Sequence, residues 1–179
     1  MKKIFALVLA IAMLLCAAAF AEEQNLIRVK YDDSMNIMQL LPEGYKAEAD
    51  VTDGGILTIT VYKDENSLGL VITVAADAEL DEAIRLNDLS DEEKAAFAAS
   101  IIEDVDDLSW KIMTSGHGTE AVVHELAEDA YDSATIASVY YGYDILMYVG
   151  YADGRQLTDA DLELAMQFFT DLTFEAQNV

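Results

Sequence analysis

The 179-residue chain is poor in the residue types on which several protein classes depend. Its one cysteine is Cys16 and its one proline is Pro42. Because Cys16 lies inside an N-terminal apolar run, the rest of the chain cannot form a disulfide, and a packed core must supply its stability. No proline-rich or glycine-rich linker divides the sequence, which predicts a single domain over 22–179.

Basic side chains are also scarce, since the chain has 10 lysines and arginines but 34 aspartates and glutamates. Lys2 and Lys3 lie in the N-terminal run, and without residues 1–21 the formal charge becomes −26. Such a charge repels nucleic acid and anionic membrane surfaces, and it favours a cationic protein partner. The alternative is that the acidic face is solvated and serves solubility alone.

The N-terminus carries the pattern of a secretory signal peptide. Two lysines precede an apolar run over 4–20, and Ala19-Phe20-Ala21 is a small-x-small cleavage site followed by Glu22. A membrane span needs roughly 20 apolar residues, so the run is short for an anchor. We therefore expect cleavage after Ala21 and a secreted, extracellular or periplasmic protein without membrane attachment. An uncleaved anchor and lipidation at Cys16 are alternatives, although Leu15 stands where a lipobox needs a small residue.

Alternating and β-branched segments predict strands along most of the remaining chain. One hairpin is predicted for 56–62 and 68–75, and a second for 135–141 and 145–151 across Gly142, Tyr143 and Asp144. Further strands are expected at 25–31, 35–41, 45–51 (an edge strand), 108–113 and 120–126. A turn is expected at 115–118, and the tail 172–174 is expected to end on the sheet.

Two helices are predicted by their capping residues. Ser90 and Glu93 form a capping box, as do Thr158 and Asp161. The predicted apolar faces are Phe97, Ile101, Ile102 and Val105 in the first helix, and Leu162, Ala165, Met166 and Phe169 in the second. Residues 77–86 suit a short additional helix. The predicted fold class is therefore α+β, with a mostly antiparallel β-sheet flanked by helices.

The segment Leu40-Leu41-Pro42-Glu43-Gly44-Tyr45 resembles the end of the first hairpin in PsbP/Mog-like proteins, including exported DcrB-type members. The order of elements over 140–174 is similar to that family as well, so the resemblance covers nearly all of 22–179. Tyr45 departs from it, because a tryptophan is common at that place. The resemblance implies an α/β/α sandwich and a binding or accessory role, and it offers no catalytic residue for transfer.

Few residues suggest catalysis. His117 and His124 are seven apart, which does not suit two ligands on one helix face, and no thiol is present to join them. They are interpreted as a turn residue and a surface strand residue. Ser115 beside His117 permits a hydrolase hypothesis, but Gly-x-Ser-x-Gly is absent and so are the glycine-rich phosphate loops.

Acidic clusters are the alternative site, because closely spaced carboxylates in loops suit Ca²⁺. None of them matches an EF-hand loop, and no metal ligand or cofactor is assigned. The clusters are Asp32-Asp33, Glu103-Asp104 with Asp106-Asp107, and Glu128-Asp129 with Asp132.

Tyrosines concentrate between residues 131 and 151. Exposed tyrosines are common in binding surfaces, because the ring is large and rigid and carries a polar tip. Tyr140, Tyr141 and Tyr143 are the predicted partner contacts, against the alternative that the rings are half-buried sheet residues. The sequence thus predicts a secreted, non-enzymatic accessory or protein-binding domain. A calcium-binding exported protein and an exported hydrolase using His117 are the alternatives.

Overall fold

The structure, a computed structural model, describes residues 25–64, 66–76, 85–101, 110–128 and 131–176. Within these ranges ten strands form two antiparallel sheets, of three and seven strands. The strands are β1 Asn25–Lys30, β2 Met35–Leu41, β3 Lys46–Val51, β4 Ile56–Tyr62, β5 Leu68–Ala76, β6 Trp110–Thr114, β7 Glu120–Glu128, β8 Tyr131–Tyr140, β9 Tyr143–Tyr151 and β10 Leu172–Ala176. The helices are a 3₁₀ helix Leu86–Asp88, α1 Asp91–Ile101 and α2 Asp159–Asp171.

The smaller sheet has the order β1-β2-β10, so the chain's last strand pairs with its second. Phe174 lies opposite Ile37 in this register. The predicted extended tail therefore does end on a sheet, but on this smaller sheet rather than on the larger one.

The larger sheet has the order β3-β4-β5-β9-β8-β7-β6. Both predicted hairpins are present, and β3 is an edge strand as expected. The second hairpin has a tighter turn than predicted, because Tyr143 is already in β9 and pairs with Tyr140. Only Tyr141 and Gly142 remain as turn residues.

The main hydrophobic core joins both sheets to α2. Ile37 of β2, Ile72 of β5 and Phe168 of α2 are at most 1% exposed and belong to this one cluster. Side chains alternate between the two faces of a strand, and β7 sends Ala121 and Val123 into this core. The protein is thus a β-rich α+β fold.

A second, smaller cluster lies on the other face of β7. Val122 packs there with Leu86 of the 3₁₀ helix and Ala98 of α1. The partly buried Phe97 and Trp110 lie against them. The 3₁₀ helix and α1 therefore cover the end of the seven-stranded sheet that contains β6 and β7.

Both capping boxes form. Ser90 Oγ accepts from the backbone N–H of Glu93, and the Glu93 carboxylate accepts from Ser90. Thr158 and Asp161 make the same reciprocal pair.

All four residues predicted for the inner face of α2 are buried, and Phe168 joins them. In α1 the buried residue is Ala98, with Phe97 and Ile101 half-buried. Ile102, Val105 and residues 77–84 of the helix predicted for 77–86 lie outside the described residues, while Arg85 forms a bridge to Tyr140 and Leu86 begins the 3₁₀ helix. Within the described ranges, none of the helices has the length and apolarity required for a membrane span.

Candidate aromatic binding groove

The tip of the β8–β9 hairpin has an unusual backbone for its sequence. Tyr141 has a φ of 52° and Gly142 a φ of 79°. Two positive φ values in a two-residue turn are typical of the type I′ turn, which favours asparagine or glycine at its first position. Tyr141 adopts a conformation that costs a non-glycine residue of the order of 1 kcal/mol, so its side-chain contacts must offset that cost.

Aromatic rings connect this hairpin to the smaller sheet. The Tyr143 ring is stacked on Phe174 of β10, with centroids 5.0 Å apart. Tyr140 lies 5.5 Å from the same ring. Tyr31 approaches Tyr143 edge-on at 5.6 Å, and its hydroxyl donates to the carbonyl of Gly55 at 2.6 Å. The hairpin tip is therefore held in a defined position against β10.

Arg85 holds the other side of the tip. Its backbone forms an isolated antiparallel bridge with Tyr140. Its guanidinium carbon lies 5.2 Å from the Tyr140 ring centroid and 5.0 Å from that of Tyr141, within cation–π range. Its Nη2 donates to the Tyr141 hydroxyl at 2.5 Å. Arg85 thus supplies contacts that stabilise the strained conformation of Tyr141.

The two adjacent phenols differ in acidity. Burial raises the pKa of Tyr140, and its hydrogen bond to Tyr141 adds to this effect. Hydrogen bonds from Tyr140 and Arg85 lower the pKa of Tyr141. The site therefore places a cation beside one phenol of lowered pKa and one phenol of raised pKa.

An open groove of about 480 Å³ lies between the hairpin tip and the smaller sheet. A volume of roughly 300–1,000 Å³ is usual for small-ligand sites. Its walls are Met35, Tyr140, Tyr141, Tyr143, Thr173, Phe174 and Ala176. A smaller cavity of about 100 Å³ adjoins it, since Tyr140 and Thr173 line both. We call the larger space the aromatic groove.

All three predicted contact tyrosines therefore line one groove. The half-buried rings of Tyr140 and Tyr143 form its walls, while Tyr141 is 42% exposed. Tyr148 is 51% exposed but points to the opposite face of β9 from the buried Met147. Tyr151 lies at the far end of β9 and donates to Asp161. The tyrosines of this region whose side chains are described thus occupy three separate places.

Sequence reasoning missed Arg85, Met35 and Phe174 as members of this site. The sequence predicts Phe174 only as part of an extended tail. Its strand pairs with β2, which is distant in the sequence, so no local pattern predicts this contact. One feature of the sequence could have identified Arg85 as a candidate site residue. It is one of only eight basic residues beyond position 21, in a segment with many acidic side chains.

The histidines do not form a common site. His117 is exposed in the β6–β7 turn, whereas His124 lies opposite Trp110 at the far end of the hairpin. His124 lies four residues beyond the start of β7, which is about 13 Å at 3.3 Å per residue. His124 is only 7% exposed, so its interpretation as a surface residue was wrong. It faces the side of β7 on which Trp110 and Val122 pack, and this placement explains its burial.

Ser115 is engaged in its own turn. Its Oγ accepts from the backbone N–H of Thr119 at 3.1 Å. Burial raises the pKa of Asp171, and the proximity of His117 opposes that change. No hydrogen bond connects His117 to Ser115 or Asp171 within the described ranges, so these groups do not form a proton relay there.

The acidic cluster Asp32-Asp33 is also engaged in a turn. Asp32 Oδ1 accepts from Ser34 N, Ser34 Oγ and Met35 N at 2.7–2.8 Å, and hydrogen bonds from Ser34 lower its pKa. Asp33 pairs with Lys30. The clusters at 103–107 and around Asp129 lie outside the described residues or have undescribed side chains. Among the side chains that are described, no three His, Cys, Asp or Glu groups could jointly hold a metal ion.

Comparison with protein-family models finds no match for this chain, and a search of curated proteins finds none either. Arguments about function therefore rest on the groove and on the sequence.

Proposed function

We propose that the protein is an exported, non-enzymatic binding or accessory protein that holds a protein partner in the aromatic groove. The observation that carries this proposal is the convergence of Tyr140, Tyr141 and Tyr143 on one open groove, with Arg85 in contact with the first two. Aromatic and arginine side chains are the types most enriched in interface hot spots. Rings held by mutual stacking lose little further freedom on binding, which favours affinity.

The finer architecture that we propose is an α/β/α sandwich of the PsbP/Mog-like type. Two features support it: α2 packs on one face of the seven-stranded sheet, and the 3₁₀ helix and α1 pack on the other. The resemblance around Pro42 and Gly44 supports the same assignment. In such a protein the groove, and not a conserved catalytic residue of the fold, determines the function.

A binding role is also supported by the positions and hydrogen bonds of the candidate catalytic groups. Ser115 accepts a turn hydrogen bond, and the two histidines lie at opposite ends of their hairpin. A serine nucleophile needs a base within hydrogen-bond reach and an acid that orients the base. The groove itself offers rings, phenols and a guanidinium, which suit recognition.

Export is the second half of the proposal, and N-terminal sequencing tests it. We expect protein recovered from the periplasm or medium to begin at Glu22. A chain that retains Met1, or that carries lipid on Cys16, would contradict cleavage after Ala21.

Site-specific photo-crosslinking tests partner binding. A photoreactive phenylalanine analogue at position 141 should yield a discrete protein adduct in the source cells. The same analogue at position 148, which is a similarly exposed tyrosine on another face, should not. Equal adducts at both positions, or none at position 141, would contradict partner binding in the groove.

A further inference from the structure

Arg85 differs from most of the other cations of the chain in its neighbours. Beyond residue 21 the chain has eight lysines and arginines, all among the described residues. Five of them form ion pairs with carboxylates, namely Arg28, Lys30, Lys94, Lys111 and Arg155. Arg85 has no carboxylate within ion-pair distance in the described part of the chain and contacts two tyrosines instead.

Most N–H donors of Arg85 have no acceptor among the described residues. A guanidinium has five N–H donors in a planar fork that matches a carboxylate. Within the described residues, Tyr141 takes one donor of Arg85. Both rings that Arg85 contacts line the groove, so the guanidinium lies next to the groove wall. A ligand with an apolar body in the groove can therefore place an anionic group on Arg85.

The charge of the whole molecule restricts what that ligand can be. A formal charge near −26 beyond residue 21 repels an acidic protein and attracts a basic one. A basic chain that ends in an apolar residue satisfies both conditions, because its one terminal carboxylate meets Arg85 while its other charges face the acidic surface. Capture of a C-terminal carboxylate is a known mode of peptide recognition.

We infer that the aromatic groove binds the C-terminal end of a basic partner protein, with a terminal aromatic or large aliphatic side chain packed against the stacked pair Tyr143 and Phe174 and its carboxylate on Arg85. This inference rests on the proposed function and specifies the partner. A groove of about 480 Å³ has the size of a small-ligand site, so it suits a chain end rather than a folded surface. Thr173 and Ala176 of β10 border the groove alongside the incoming chain.

Binding of short peptides to the purified protein, measured by fluorescence anisotropy, tests this inference. The probe is a labelled basic pentapeptide, Lys-Gly-Lys-Val-Phe, with either a free C-terminal carboxylate or a C-terminal amide. We expect the free acid to bind at least about tenfold more tightly than the amide, since charge-assisted bidentate contacts are the stronger kind. R85Q should remove that difference, and R85K should retain only part of it.

K46Q provides the matched control. Lys46 is exposed on the edge strand β3 and is not in any of the five ion pairs. K46Q removes the same unit charge far from the groove, so it should leave the acid-to-amide ratio unchanged. Circular dichroism and melting of each variant establish that it is folded before binding is compared.

The outcomes separate this inference from the proposed function. Equal binding of acid and amide, or no peptide binding at all, overturns the carboxylate inference, while a crosslinked partner at position 141 still supports the groove as a binding site. N-acetylphenylalanine binding as tightly as the pentapeptide would assign the groove to a small aromatic acid and overturn the chain-end inference. Carboxylate-dependent peptide binding without any crosslinked protein would contradict the proposed function and the protein partner, while it would still support the carboxylate contact at Arg85.

Discussion

Tyr141 combines an unfavourable backbone conformation with a set of specific side-chain contacts. Its φ of 52° suits glycine or asparagine, yet its hydroxyl and ring both contact Arg85. Residues in such conformations cluster at functional sites, where the surrounding structure compensates for the strain. We regard the tyrosine as retained for binding at some expense to stability.

Two substitutions test that interpretation. Tyr141→Gly removes the ring contacts but relieves the backbone, so its free energy of unfolding should change by less than about 1 kcal/mol. Gly142→Ala places a Cβ at a φ of 79°, so it should destabilise by about 1 kcal/mol or more. Urea denaturation measures both. A larger loss for Tyr141→Gly than for Gly142→Ala would mean that Tyr141 mainly serves folding.

The acidity of Tyr141 gives a second prediction at this scale. Hydrogen bonds from Tyr140 and Arg85 lower its pKa, so its phenol should be among the first to ionise as the pH rises. Absorbance at 295 nm follows phenolate formation. Arg85→Gln removes a donor and a positive charge, so it should shift the earliest step to higher pH, and Tyr141→Phe should abolish that step. An unchanged early step in Arg85→Gln would contradict the Arg85–Tyr141 contact.

Individual residues differ in how well the sequence predicts their role. Tyr140, Tyr141 and Tyr143 stood out by local density, and the structure places them around one groove. Arg85 and Phe174 reach the same groove only through the bridge to Tyr140 and the pairing of β10 with β2. Those contacts join residues more than 50 positions apart, which no local pattern encodes.

At the scale of elements, α2 is coupled to β9 by one phenol. The Tyr151 hydroxyl donates to Asp161 Oδ1 at 2.6 Å, while Oδ2 of the same carboxylate caps α2 by accepting from Thr158. The hydrogen bond to Asp161, followed by burial, raises the pKa of Tyr151 to about 12. Burial alone would raise the pKa of Asp161, but the bonds from Tyr151 and Thr158 outweigh it and the pKa is lowered.

The sign of the resulting pH dependence follows from the raised pKa of Tyr151. Ionisation is harder in the native protein than in the unfolded chain, where a tyrosine has a pKa of about 10. The stabilisation is therefore complete below about pH 10 and is lost as the pH rises towards 12. We expect the free energy of unfolding of Tyr151→Phe to fall less over this interval than that of the wild type. Tyr148→Phe, at a ring that is 51% exposed, is the matched control and should follow the wild type.

Elements defined by local signals were predicted well. Both capping boxes and both predicted hairpins formed, because caps and turns depend on residues three to five positions apart. The division of the strands into two sheets was not predicted. It depends on β10 joining β2 and on β5 pairing with β9, about 75 residues away. An alternating pattern predicts that a segment is a β-strand, but it does not predict which other strand that segment pairs with.

At the scale of the whole molecule, the dominant property is repulsion between carboxylates. With 34 acidic side chains and five ion pairs of described partners, most of the negative charge lies unpaired with lysine or arginine. Self-repulsion of this kind destabilises the compact state and is screened by salt over a Debye length of about 10 Å at 0.1 M. Salt should therefore raise the melting temperature even if the protein holds no specific ion.

Because salt alone is expected to raise the melting temperature, a test of calcium binding needs a second divalent salt at equal ionic strength as its control. Asp32 Oδ1 already accepts three hydrogen bonds, so a calcium ion bound through that oxygen would have to displace at least one of them. We expect 1 mM CaCl₂ and 1 mM MgCl₂, each added after EDTA treatment and at equal ionic strength, to raise the melting temperature equally. A specific site at 100 times its dissociation constant would add about 2.7 kcal/mol, which is roughly 5–10 °C for a domain of this size. A calcium-specific rise of that size would make an acidic cluster beyond the described residues a genuine site and would favour the calcium-binding alternative.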